Sequence, residues 1–249
     1  MKIYSCEQRS EEWFELHIAR CTASYLGDVM SFLKTGSKGP TAARNAYMAK
    51  KIAETLTGLI DRTGYVSPAM IWGQDHEDEA IRAYEVAKEV MTDRIGFAIH
   101  PEIERFGASP DRLIGDDGIL EAKCPDTSTH IRWLLEGVVP EEHWPQMYGE
   151  MSCTGRDWGQ FISFDPRLTK RYQLFMPPIL KAETERILEV ETHVRQFLSE
   201  MDAKIERLGE LCPIFAEQQG EMSNEGLVKW GIADEDIRCA DPTWTGTAV

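Results

Sequence analysis

The chain has 249 residues, 27 Lys and Arg against 42 Asp and Glu for a formal charge of −15, and 42% hydrophobic residues. That length fits one large domain, or a domain with an appendage, that can bury a core without disulfides or metals. Seven Trp, seven Tyr and nine Phe exclude wholesale disorder. No apolar run reaches the roughly 18 residues of a membrane span, and residues 1–20 lack a signal-peptide layout, so a cytoplasmic protein with no membrane partner is expected.

Taken in chain order, residues 41–56 predict a helix from the spacing of Ala46, Met48, Ala49, Ile52, Ala53 and Leu56, with Gly58 after its end. A second helix is predicted over 74–90, its start placed at the acidic run Asp75, Glu77, Asp78 and Glu79. The pattern then changes: 95–100, 103–106, 112–114 and 119–124 are short, bounded by Gly, Pro and Asp, and predict strands. Residues 141–153 return to helix, and 158–164 and 171–175 predict two more strands. A long helix over 179–208 carries a stripe of Ile187, Val190, Val194, Phe197, Met201, Ile205 and Leu208, fit to cover a sheet or meet another subunit. The expected fold is α/β, one central mixed sheet flanked by helices, with a domain over 1–210 and an acidic extension over 211–249.

The six cysteines, at 6, 21, 124, 153, 212 and 239, form no CxxC pair, so free buried thiols are expected rather than a zinc or iron-sulfur site. The acidity argues against a polyanionic partner. It is unevenly spread, however: residues 1–62 hold nine basic and seven acidic side chains. Lys34, Lys38, Arg44, Lys50 and Lys51 lie there, and the Gly-rich stretch from Lys34 to Gly39 suits contact with a DNA backbone through lysines and amides, or is simply a solvated loop.

The stretch from Ser109 to Pro125 is the most informative. Two extended segments flank Asp116-Asp117-Gly118, a hairpin signal. With Gly115 to Asp117 as the loop, Ile114 pairs with Gly118, and the same register sets Asp111 opposite Glu121 on one face. Lys123, two residues further, shares that face. Two carboxylates and a lysine suit a hard divalent metal, with the Ala122 carbonyl as a further ligand and Lys123 acting on a water or a phosphate. The triplet Asp202-Ala203-Lys204 shows that acid-x-Lys alone is cheap; the hairpin and Ser109-Pro110-Asp111 give this one its weight. Trp133, Leu134 and Leu135 are expected in the core rather than as wedges between bases.

Ser109-Pro110-Asp111 and Glu121-Ala122-Lys123-Cys124-Pro125 resemble the PD-(D/E)xK nuclease core of the lambda exonuclease and YqaJ-type viral recombinase family. Glu12-Trp13 through Cys21-Thr22-Ala23-Ser24, Trp72-Gly73 through Glu77, and Pro145-Gln146 through Arg167 match further segments of that family in order, over about residues 8–175. The resemblance implies a Mg²⁺-dependent 5′-to-3′ exonuclease, with Mn²⁺ able to substitute, that degrades one strand of linear duplex DNA for recombination through an annealing protein and assembles as a homotrimer. It implies Asp111, Glu121 and the Ala122 carbonyl as metal ligands, Glu77 at a second metal, Lys123 as the catalytic lysine and Gln146 near the attacking water. Ser24 and Ser109 match hydroxyls that hold the 5′-phosphate. His17 stands where the family has an arginine, and Arg20, taken as sharing a helical face with it, could supply the guanidinium. Tyr148 replaces a second Gln. Arg112 replaces a Gly, and either contacts the scissile strand or pairs with an acid. An endonuclease with the same core and a non-catalytic protein that binds DNA ends are the rival readings.

Overall fold

Four helices begin where a side chain takes up an otherwise unpaired backbone N–H. Ser10 accepts from Trp13, Thr41 from Arg44, Ser67 from Met70 and Asp126 from Thr129. Three of the longer helices end on glycines in the left-handed region, Gly58, Gly137 and Gly155. The structure is a computed structural model that describes residues 2–33, 39–60 and 67–211. Lys34 to Lys38 and the tail beyond residue 211 therefore lie outside the described residues.

In order, the elements are β1 (Lys2–Tyr4), α1 (Glu11–His17), β2 (Cys21–Thr22), α2 (Leu26–Val29), α3 (Ala42–Thr57) and α4 (Pro68–Lys88). There follow β3 (Thr92–Asp93), β4 (Phe97–Ile99), β5 (Phe106–Ala108), β6 (Arg112–Ile114), β7 (Gly118–Lys123) and α5 (Thr127–Glu136). The described chain ends with α6 (Trp144–Thr154), β8 (Trp158–Phe164), α7 (Lys170–Gln173), β9 (Leu174–Phe175), β10 (Leu180–Lys181) and α8 (Thr184–Leu211). One compact unit ends at Met201, within α8, and the remaining described residues continue that helix.

Instead of the single sheet expected, the strands form two. The smaller has the order β1-β4-β5-β2; the larger runs β10-β8-β7-β6-β3, with β9 also on β8. Both are mixed, since β7 and β8 are parallel, as are β2 and β5, while the other pairs are antiparallel. The strands expected at 95–100 and 103–106 both contribute to the smaller sheet, the second of them at Phe106–Ala108. Residues 170–173 form a helical turn rather than the start of a strand.

The larger sheet is packed on both faces, which fixes the directions in which β7 points its side chains. Leu120 and Ala122 join Ala80, Ile81 and Tyr84 of α4 in one apolar cluster. On the opposite face Gly159 lies against Met147 of α6, which packs with Trp133, Phe161 and Phe175. Trp133 is thus core, as expected, whereas Leu135 is 83% exposed, because α5 is short and turns that residue outward. The apolar stripe of α8 is buried at Val190, Val194, Phe197 and Met201, with Phe197 stacked on Tyr47 of α3. Arg44 and Lys51, two of the basic residues of the N-terminal quarter, are buried: Arg44 bonds Glu200 at 2.7 Å and Lys51 bonds Glu54 at 2.7 Å. Cys21, Cys124 and Cys153 are buried free thiols and Cys6 is a partly buried one. Among the described residues no helix is long and apolar enough to cross a membrane.

Candidate active site

The hairpin of β6 and β7 has the register its turn dictates. Ile114 pairs with Gly118, Leu113 with Ile119 and Arg112 with Leu120, so the next pair along is Asp111 with Glu121. Gly115 takes a φ of +53° at the turn, a conformation glycine adopts without a Cβ penalty. Arg156 pins this turn from below: its guanidinium donates to the carbonyls of Ile114, Gly115 and Gly118, while the Asp117 carbonyl accepts from the N–H of Asp157. The start of β8 thereby locks the loop that aims the two carboxylates.

Asp111 Oδ2 accepts the Ala122 N–H at 2.7 Å, which clips the residue before β6 onto β7. Glu121, 1% exposed, accepts on Oε1 from the Lys123 ammonium and from Gln146 Nε2 at 2.7 Å. The same Gln146 nitrogen reaches Glu150 Oε1 at 2.8 Å, and the Gln146 oxygen lies 3.4 Å from Lys123 Nζ. Glu150 was not foreseen from the sequence. It stands four residues after Gln146 on α6, a spacing that puts both on one helix face and could have suggested it.

Four carboxylates therefore crowd one end of the sheet. Burial, reinforced by Glu121 and Glu77, pushes the Asp111 carboxyl well above its ordinary range. Burial and Glu121 do the same to Glu150, and burial raises Glu77 against the opposing pull of Arg9 and Arg112. Burial would lower the Lys123 ammonium, but Glu121 and Asp111 outweigh it and hold the lysine charged. Glu121 Oε2 and Glu150 Oε2 are buried without a hydrogen-bond partner. Among the described residues no three His, Cys, Asp or Glu side chains are assembled to hold a metal by themselves. Asp111, Glu121 and the Ala122 carbonyl offer hard oxygens only, and one Glu121 oxygen is buried with no hydrogen-bond partner in the protein. The donor set fits a divalent ion of the magnesium class.

Glu77 is not at a helix start, as the acidic run suggested. Ser67 and Pro68 begin α4, and Glu77 lies mid-helix, one turn before Ala80 and Ile81. That turn sets it on the edge of an open groove with Gln74, Asp111, Ala122 and Lys123. Arg112 pairs with an acid: its guanidinium bonds Asp78 at 2.7 Å and the Asp111 carbonyl at 2.6 Å, and the residue is buried. Tyr148 is buried.

Ser109 Oγ donates to the Gly96 carbonyl at 2.7 Å and accepts from Trp13 Nε1 at 2.9 Å. Trp13 in turn packs against His17 in a tilted arrangement, with centroids 3.6 Å apart, and its carbonyl bonds His17 Nδ1 at 2.7 Å. Burial, helped by Lys51 and Arg20, lowers the His17 pKa to about 4, so its ring is neutral near pH 7. Helix α1 ends at His17, so Arg20 lies beyond it and shares no helical face with that residue. Arg20 donates to the carbonyls of Leu16 and Glu104 at 2.8 and 3.2 Å. Ser24 is exposed in the 3₁₀ turn after β2, its hydroxyl 3.4 Å from that of Thr22.

Residues 12–157 match the YqaJ-like viral recombinase domain. Among solved structures, the alkaline exonuclease LHK-Exo from Laribacter hongkongensis shares 37% identity, with 83% of this chain and 100% of that chain covered and a TM-score of 0.74. LHK-Exo in complex with dAMP gives the same identity and coverage with a TM-score of 0.75. A phage-related exonuclease from Haemophilus somnus, at 15% identity and a TM-score of 0.58 over 76% of this chain and 96% of that one, shares the fold. The comparison with curated proteins gave no match. A match over more than half the chain, together with 37% identity to an alkaline exonuclease along most of its length, establishes that the chain belongs to the YqaJ-like viral recombinase domain family and is a nuclease.

Proposed function

We propose that this protein is a Mg²⁺-dependent exonuclease that removes nucleotides from the 5′ end of one strand of linear duplex DNA and leaves 3′ single-stranded overhangs. The observation that carries the reading is the convergence of Asp111, Glu121, Lys123 and Gln146 at one end of the β6–β7 hairpin. A bound divalent ion supplies Lewis acidity at the scissile phosphate and a lowered pKa for a coordinated water. Asp111, Glu121 and the Ala122 carbonyl would hold it, with Glu77 beside a second one; Mn²⁺ offers the same preference for oxygen donors. Lys123, kept protonated by Glu121 and Asp111, offsets the charge that builds on the phosphate. The Gln146 amide, fixed between Glu121 and Glu150, orients the water that attacks.

Ser24 and Ser109 would bind the 5′-phosphate with Arg20 as the cation, since His17 can contribute only a neutral ring near pH 7. That LHK-Exo was solved with dAMP, a mononucleotide, supports stepwise removal of single nucleotides. Homotrimeric assembly around DNA, delivery of the overhang to an annealing protein, and residues 1–210 as the nuclease domain belong to the same reading. Incubation of one plasmid in linear and covalently closed circular forms tests it. The linear form is expected to be consumed with Mg²⁺ and the circle to persist; cutting of the circle would make the protein an endonuclease, and binding of the linear form without turnover would make it an end-binding protein.

A further inference from the structure

Resting on the nuclease reading, we propose that a polar pocket lined by Arg9, Arg94 and Arg112 holds a DNA phosphate adjoining the scissile one. The pocket has a volume of ≈ 470 Å³ and shares Gln74 and Glu77 with the groove that contains Asp111 and Lys123. A strand whose scissile phosphate lies at Asp111 and Glu121 therefore passes into it directly.

Three separate segments deliver the guanidinia: the approach to α1, the residue after β3, and β6. Arg112 is the fixed member, tied to the carbonyl of Asp111 itself. Asp78 serves both Arg112 and Arg94, at 2.7 and 3.0 Å, so a single carboxylate answers two guanidinia. The Arg94 pair is largely exposed and weak, which leaves Arg94 able to turn to a stronger anion. Arg9 is exposed and forms no ion pair among the described residues, yet its charge is felt at Glu77. With Glu77 committed to a metal, three guanidinia face only Asp78 and Glu7. Such an excess, in a planar fork geometry, suits a phosphate.

The backbone that presents Arg9 is held in place at a cost. Gln8 Nε2 donates to the carbonyls of Ile95 and Pro110 at 3.0 and 3.2 Å, pinning the segment one residue from Asp111. Arg9 itself sits at a φ of +68°, in the left-handed region where a non-glycine residue costs about 1 kcal/mol. A glycine would fit that position better, so the guanidinium is presented from a strained backbone.

That strain supplies the test, because Arg9→Gly removes the guanidinium while suiting the backbone. Binding of a fluorescent linear duplex carrying either 5′-phosphate or 5′-hydroxyl ends is measured with Ca²⁺ in place of Mg²⁺, so that Glu77 faces a divalent ion, over a range of salt concentrations. Arg9→Gly is expected to weaken binding about tenfold and to reduce the slope of log Kd against log salt by about 1, with the melting temperature unchanged or raised. Loss on both duplexes identifies an internal phosphodiester as the occupant; loss confined to phosphorylated ends identifies the terminal phosphate. Unchanged affinity and slope on both overturn the proposal, as does a fall in melting temperature large enough to account for the loss. If wild-type protein binds through Arg9 but releases no nucleotide with Mg²⁺, the nuclease reading fails and the pocket stands. Normal digestion with unaltered Arg9→Gly binding refutes the pocket alone.

Discussion

Glu121→Gln is expected to lower Mg²⁺-dependent nucleotide release by at least about 10³-fold and to abolish the rise in melting temperature that Mg²⁺ gives the wild type. Both effects come from the same carboxylate. Glu121 is buried, and its charge helps push the Asp111 and Glu150 carboxyls upward. Removing that charge also takes the counter-ion from the Lys123 ammonium, so no gain in metal-free stability is expected. With a cation, the same substitution deletes a ligand oxygen and the acceptor that fixes Lys123 and Gln146. Thermal melts with and without Mg²⁺, run beside a digestion assay, check both. Retained activity, or a Mg²⁺-dependent rise in melting temperature equal to that of the wild type, would contradict Glu121 as a metal ligand.

Gly107→Ala is expected to destabilise the fold by about 3 kcal/mol, a drop of roughly 10 °C in melting temperature. A Cβ there would lie 2.3 Å from Phe97 Cζ and 2.9 Å from the Ala98 carbonyl, in the centre of the smaller sheet. The Ala98 backbone is held by pairing to Ala108, so Phe97 must move. Phe97 is fully buried against His17, with ring centroids 4.5 Å apart, and His17 packs against Trp13, which holds Ser109. The displacement thus runs from a strand glycine to the serine beside Pro110 and Asp111. Partial loss of digestion, together with the lower melting temperature, is the expected signature; a melting temperature within a degree of wild type would show that Phe97 has room to yield.

The hairpin was readable because its determinants are local. A turn of fixed length between two extended segments sets the register, and the register sets which side chains meet. The start of α4 was misplaced because its acidic run imitates a helix N-terminus, whereas Ser67 and Pro68 begin the helix and Asp78 is answered by arginines distant in sequence. Helix α1, with Ser10 capping Trp13, and helix α5, with Asp126 capping Thr129, carried start signals of the usual kind but are short, and neither was assigned. Separating the strands into two sheets depends on β1 and β2, of three and two residues, too short to leave a periodic pattern. Arg156 beneath the hairpin and Arg9 beside Glu77 are contacts between segments far apart in the chain, which local spacing cannot reveal.

Charge followed the same division. A net charge of −15 seemed unsuited to a DNA partner, yet Glu77, Asp111, Glu121 and Glu150 concentrate acid at the site itself. Arg44 and Lys51, counted among the basic residues of the N-terminal quarter, are folded into the core. The guanidinia of the pocket that adjoins the groove are Arg9, Arg94 and Arg112, two of them lying outside the N-terminal quarter.

The proposed activity is digestion of duplex DNA from its 5′ ends at the hairpin site with a divalent metal. Time-resolved digestion of one linear duplex, labelled in parallel at its 5′ or 3′ ends and run with Mg²⁺ or with chelator, tests it most directly. Early release of the 5′ label as mononucleotide, with the 3′ label retained in a lengthening single strand and no release in chelator, is the predicted result. Early release of the 3′ label, or release that persists in chelator, would contradict the account.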